Sequence, residues 1–273
     1  MASSVSQQAY ADAVEKLAAG TGTATAAQLA SVADEILSVA GLLRAQPRLR
    51  RALIDPSRSG ADRSELVRSL FSGKLAEVTV DTLGTLVSGR FSRPSELLDA
   101  TERLGVEVLL RSAEKDGKLA EVEDELFRFG QIVSGSAQLA VTLSDSSAPS
   151  PRRVKLVGDL LKGKAQPTTL RLAELSLEGF GGRSFEGSLT RLVEMTAAKR
   201  DRQVAYVTVA KPLSDADEQA LATKLSGMYE RAVSLQVEVD PAIIGGVSVR
   251  VGSDLYDGTI LRRLNAAKQA FAK

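Results

Sequence analysis

The chain contains no cysteine, no histidine and no tryptophan among its 273 residues. Their absence removes thiolate and imidazole nucleophiles, serine–histidine–aspartate chemistry and every zinc site built on sulfur or imidazole. Most enzyme classes that a sequence can reveal are thereby disfavoured, and no disulfide framework exists. An excess of one charge is missing too. Lys and Arg number 35 against 34 Asp and Glu, so there is no electrostatic footprint for nucleic acid or for an acidic membrane. No window approaches the roughly 18 uninterrupted apolar residues of a membrane span, and Met1 to Gln8 is too polar for a signal peptide. The expectation is a soluble chain whose membrane connection runs through a partner. What is present is 44% apolar residues, enough for a core, in a length that favours more than one domain.

The first 200 residues read as helices. Tyr10, Ala13, Val14 and Leu17 share one face of a short helix, and Leu29, Val32, Ile36, Val39 and Leu43 form the stripe of a longer one. Pro47 to Ile54 is a short helix closed by Asp55-Pro56, because the residue before a proline is pushed out of the helical region. Val67 and Leu70 mark a helix ending at Gly73; Val80, Leu83 and Val87 mark another ending at Gly89; and Pro94 opens a long run through Leu104 and Leu109. The face of Tyr10 is open to two readings, as core or as one wall of a groove for a partner helix.

Sliding the chain by 90 positions without a gap sets Val32, Asp34 and Glu35 against Val122, Asp124 and Glu125. Arg63, Val67 and Leu70 fall on Arg153, Val157 and Leu160, and Gly73-Lys74 falls on Gly163-Lys164. Chance overlap of helical patterns could match the leucines, but not the glycine stops as well. Two copies of one antiparallel helical bundle are expected, sharing the long helix at their junction.

From Val204 the period turns from helical to alternating. Gln203 to Val209 is a strand. Ser214 to Asp217 resembles a capping box opening a helix, and Val233, Leu235, Val237 and Val239 alternate with polar residues along a second strand. Gly245-Gly246 turns into a strand whose Val247, Val249 and Val251 face inward, Leu255-Tyr256 is a stub of strand, and Ile260, Leu261, Leu264, Ala267 and Phe271 have helical spacing. The fold class is mainly α with a small α+β C-terminal domain: helical bundles over 1–105 and 106–203, then a strand-helix-strand-strand-helix domain over 204–273.

Two motifs suggest chemistry and are better read as structure. Gly158 to Ala165 comes within one residue of a phosphate-binding loop, but it has alanine in place of the hydroxyl residue, lies in a helical pattern and matches Arg68 to Leu75 in the other copy. Gly163 is then a helix stop. The acidic run Glu121, Glu123, Asp124 and Glu125 fans around a helix and cannot converge on a cation, so it reads as a solvated face. No catalytic, cofactor-binding or metal residue is assigned.

The double glycine followed by V-x-V-R-V-G and a later D-G-T before the last helix, together with the opening Y-A-x-A-x-x-x-L-A at Tyr10, resembles the delta subunit of bacterial ATP synthases, relatives of the mitochondrial oligomycin-sensitivity-conferring protein. The duplication resembles the actinobacterial form. The resemblance implies a non-catalytic stator subunit of a proton-translocating ATP synthase, peripheral on the cytoplasmic face of the bacterial plasma membrane. Its partners would be the N-terminal helices of the alpha subunits and the b-subunit stalk. Carried onto this sequence, the groove for an alpha-subunit helix falls on the first and fifth helices. In the first copy these hold Tyr10, Ala13, Val14, Leu17, Val80, Leu83 and Val87; in the second, Leu109, Leu110, Ala113, Leu170, Leu172 and Leu175. The stalk contact falls on Gly246, Val249, Leu255, Leu261, Leu264 and Phe271. By pattern alone, a helical-repeat adaptor or scaffold unrelated to the synthase fits as well.

Overall fold

The computed structural model describes residues 4–260 except 146, 148, 201, 230, 244 and 253. The expected terminal helix, with Leu261, Leu264, Ala267 and Phe271, lies outside the described residues.

In chain order the helices are α1 (Ser4–Gly20), α2 (Ala26–Ala45), α3 (Pro47–Leu53), α4 (Gly60–Phe71), α5 (Glu77–Ser88), α6 (Pro94–Lys115), α7 (Leu119–Ser134), α8 (Ala137–Ser144), α9 (Ser150–Leu161), α10 (Pro167–Leu177) and α11 (Phe185–Lys199). Strand β1 (Arg202–Val209), α12 (Asp215–Tyr229), β2 (Ala232–Val239), β3 (Val247–Val251) and β4 (Asp254–Asp257) follow. The expected class, mainly helical with a small α+β element near the C-terminus, is the one observed.

The 90-residue repeat is written into the helix starts. Pro47, Gly60 and Glu77 open α3, α4 and α5, and Ala137, Ser150 and Pro167, each 90 positions later, open α8, α9 and α10. The stops repeat in detail. Gly73 and Gly163 adopt φ of 74° and 75°, a left-handed conformation that costs glycine little. Beyond each, two N–H groups turn back to one carbonyl: Lys74 and Leu75 donate to Phe71, and Lys164 and Ala165 donate to Leu161. Gly163 therefore ends a helix, and Gly158 to Leu161 is helical as expected.

Contacts gather the chain into two compact units, one up to Lys118 together with Leu143–Ser188, the other Leu119–Thr142 together with the chain from Leu189 onward. In the first unit, α2 is long and apolar enough to cross a membrane, yet Leu29, Val32, Ile36, Val39 and Leu43 are buried in the bundle, as suits a core helix. A capping box between Thr25 and Gln28 starts it.

In the second unit a four-stranded sheet runs in the order β2-β1-β3-β4, with β1 and β2 parallel and the other pairs antiparallel. One face carries Ala205, Val207, Val209, Val233, Val249 and Val251 against Leu225 of α12. The start of α12 has the expected serine cap, Ser214 Oγ accepting from the Asp217 N–H at 3.2 Å.

Two expectations are corrected on the opposite face of the sheet. Glu123 is not part of a solvated face but is 1% exposed. Arg200 donates to it at 2.6 Å and the Gln236 amide at 3.3 Å, so its charge is paired out of water. Gln236, expected on a wet face of β2, is likewise buried beneath α7, where the Phe127 and Tyr206 rings also meet at 6.4 Å. Helix periodicity alone does not reveal that a carboxylate has a distant cation.

Candidate partner-binding helix pairs

The first pair is α1 with α5, antiparallel and pressed together through small residues. A Cβ on Gly20 would lie 2.6 Å from Val78, and one on Gly89 would collide with Ala9. Ala13, Leu17, Val80, Leu83 and Val87 consequently fill the seam and are at most 4% exposed. Of the residues expected to line a groove, these five form the inner side of the pair. Tyr10 and Val14 are half-buried, with Ala11 and Glu15 exposed beside them. The Arg103 guanidinium lies over the Tyr10 ring, 4.3 Å from its centre. Burial pushes the Tyr10 phenol up to about 12, with Arg103 pulling the other way. Lys16 and Asp81 close the rim at 3.4 Å.

The second pair, α6 with α10, is built differently. Leu109, Leu110, Ala113 and Leu172 are buried, while Leu170 and Leu175 are half-buried. Here the helices stand apart, leaving a cleft of about 510 Å³ lined by Ala26, Ala30, Leu109, Ala113, Pro167 and Arg171. One wall of that cleft is α2. Asp34 pairs with Arg171 at 2.7 Å, and Arg44 reaches both Glu178 at 3.3 Å and buried Glu102 at 2.6 Å. Glu102 also accepts from the Gly181 N–H at 2.8 Å. These polar anchors were missed in the sequence, because no local signal near Asp34, Arg44 or Glu102 marks their distant partners.

In the sheet domain the stalk candidates separate. Gly246 has a φ of 90°, and a Cβ there would lie 2.5 Å from the Gly258 carbonyl oxygen, so the double glycine lets the chain pass close above itself. Val249 is core, 4% exposed, whereas Leu255 is 61% exposed on the edge strand β4. Beside it the Tyr229 hydroxyl donates to Asp254 at 2.9 Å and lies 3.0 Å from the Tyr256 hydroxyl. That bond to Tyr256, with burial and the nearby Asp254 carboxylate, raises the Tyr229 phenol above its ordinary range. This cluster was not anticipated either. Leu261, Leu264 and Phe271 fall outside the described residues.

Comparison with known proteins gives these elements a lineage. The family model described as "ATP synthase delta (OSCP) subunit" matches the chain twice in succession, over residues 7–105 and 106–271. The chain belongs to the ATP synthase delta (OSCP) subunit family. It is 57% identical over 273 residues to the ATP synthase subunit delta of Salinispora arenicola (strain CNS-205), and 55% identical to that of Salinispora tropica, with the full length of every chain covered. To the Streptomyces griseus subunit delta it is 40% identical over 269 residues, 98% of this chain and 99% of the relative. Membership in the delta (OSCP) family removes the reading of an adaptor unrelated to ATP synthase. It makes the chain a structural subunit of a membrane-associated complex of ATP synthesis and ion transport, and the duplicated match agrees with the repeated helix starts.

Proposed function

We propose that this subunit is a non-catalytic link of the peripheral stalk, joining the catalytic head to the b-subunit stalk on the cytoplasmic face of the plasma membrane of a proton-translocating synthase. The rotor's torque would carry the catalytic ring round unless something held it, so the link must keep two interfaces closed under load. In this reading the tandem bundles, 1–105 and 106–203, face the alpha subunits' N-terminal helices. The domain from 204 to 273 meets the b subunit, through the edge around Leu255 and the segment holding Leu261, Leu264 and Phe271.

The observation that carries the reading is the family match, repeated over both copies and reaching residue 271. The antiparallel α1/α5 pair with its half-buried Tyr10 and Val14 supports the placement of the head-facing surface, since a bound amphipathic helix depends on a few partly buried apolar anchors. Affinity purification of the tagged full chain from membranes tests it. Alpha and b subunits should both co-purify, and deleting residues 252–273 should lose b while retaining alpha. Retention of b by the shortened chain would overturn the assignment of the stalk contact.

A further inference from the structure

The two helix pairs are not equivalent seats. Helix α2 lies along α6 in the antiparallel sense: Ser112 Oγ donates to the Ala26 carbonyl at 2.8 Å, Ile36 and Leu37 meet α6 at Gly105, and Arg44 meets Glu102. Gly105 is what permits the crossing, because a Cβ there would lie 2.6 Å from Leu37 Cδ2 and 3.4 Å from Ile36 Cγ2. The same α2 follows α10 in the parallel sense, Asp34 on Arg171 and Arg44 on Glu178. Helix α2 is thus anchored at both ends on α6 and tied to α10 by Asp34 at its middle and, at the cap beyond α10, by Arg44. It is covalently joined to the surface it covers, so its effective concentration there exceeds that of any free helix.

On the first pair the situation is reversed. Val14 is only half-buried, whereas Leu104, 90 positions on in α6, is fully buried. The seam between α1 and α5 is closed by Ala9, Ala13 and Leu17, but its outer edge remains open, with half-buried Val14 flanked by exposed Gln7, Ala11 and Glu15.

We propose that α2 occupies the second pair from within the chain, leaving only the cleft beside Arg171, so that each subunit seats one external helix, on α1 and α5, and not two. This rests on the reading that such a pair receives an alpha-subunit N-terminal helix. Duplication has then added a second bundle without doubling the hold on the head.

The test is calorimetric titration of the full chain with a synthetic peptide of the alpha subunit's first 20 or so residues, repeated with Val14→Lys and with Leu175→Lys, both at half-buried positions. Circular dichroism of each variant checks that it remains folded. One peptide per chain is expected. A charge placed among the apolar anchors should weaken binding by about tenfold or more for Val14→Lys and leave Leu175→Lys within about threefold of the parent. Two peptides per chain, or binding lost only in Leu175→Lys, would overturn the inference while sparing the proposed function. If no peptide bound at all, the reading of the helix pairs as alpha-subunit seats would fall, and the inference with it.

Discussion

Arg63 and Arg153, 90 positions apart, are both buried and both turn their guanidinium groups onto the carbonyl end of the next helix. Arg63 donates to the Val87, Ser88 and Gly89 carbonyls at 2.8 to 3.0 Å and to Arg58 and Asp55 at 2.6 and 3.2 Å. Arg153 donates to Leu177 at 3.0 Å and Leu143 at 3.3 Å, and among the described residues its Nε has no partner. One guanidinium thus satisfies the last orphan carbonyls of α5, and its repeat does the same less completely for α10.

Arg63→Ala is therefore expected to be the more damaging substitution. Removing it strands several buried carbonyls, at about 3 kcal/mol, against about 1–2 kcal/mol for Arg153→Ala. Scanning calorimetry of the two variants checks the order. Equal losses would mean that hydrogen-bond count does not govern the two sites.

The repeat was legible in the sequence because it is carried by residues with a fixed backbone job. Gly73 and Gly163 end helices, and Arg63 and Arg153 cap them, so matching positions repeat whatever surrounds them. The alternation of Val247, Val249 and Val251 was legible for the same reason, one face of a strand being core. What escaped was every feature made by residues far apart in the chain. Nothing near Glu123 announces Arg200 and Gln236, and nothing near Asp34 announces Arg171. The expected groove residues were carried by resemblance onto two helices, and the face of a helix cannot say whether its neighbour is another helix of the chain or a partner; Leu83 and Val87 turned inward and Val14 only half so.

Glu123 offers a sharper test of the buried network. Glu123→Ala would leave Arg200, 21% exposed at its side chain, without its carboxylate beside the sheet. The expected cost is about 3 kcal/mol, since breaking a buried pair from one side leaves a charge that water reaches poorly. Hydrogen exchange at the β1 and β2 amides should quicken accordingly, and unchanged protection there would contradict the placement of Glu123 under the sheet.

Glycine at 163 is expected to matter for conformation alone. A Cβ there meets nothing within 4 Å, so Gly163→Ala should cost only the left-handed strain, about 1 kcal/mol, and Gly73→Ala the same. The Gly163→Ala chain should also behave as the parent toward ATP in calorimetry. Micromolar ATP binding abolished by that change would reinstate the phosphate-loop reading.

Tyr10 ties stability to alkaline pH. Its folded phenol titrates at about 12 against 10.0 unperturbed, so the folded state holds the proton longer. The associated stability is whole below pH 10 and is lost as pH rises through about 12. In ultraviolet titration the difference between the parent and Tyr10→Phe should show one tyrosine ionising late. A difference curve centred near 10 would mean that the ring is not buried beneath Arg103.

Torque retention bears most directly on the stator role. Inverted membrane vesicles from cells lacking this subunit, supplied with the purified catalytic head, should hydrolyse ATP yet fail to acidify, and adding back the full chain should restore ATP-driven acidification. Vesicles that acidified equally well without the chain would contradict the account.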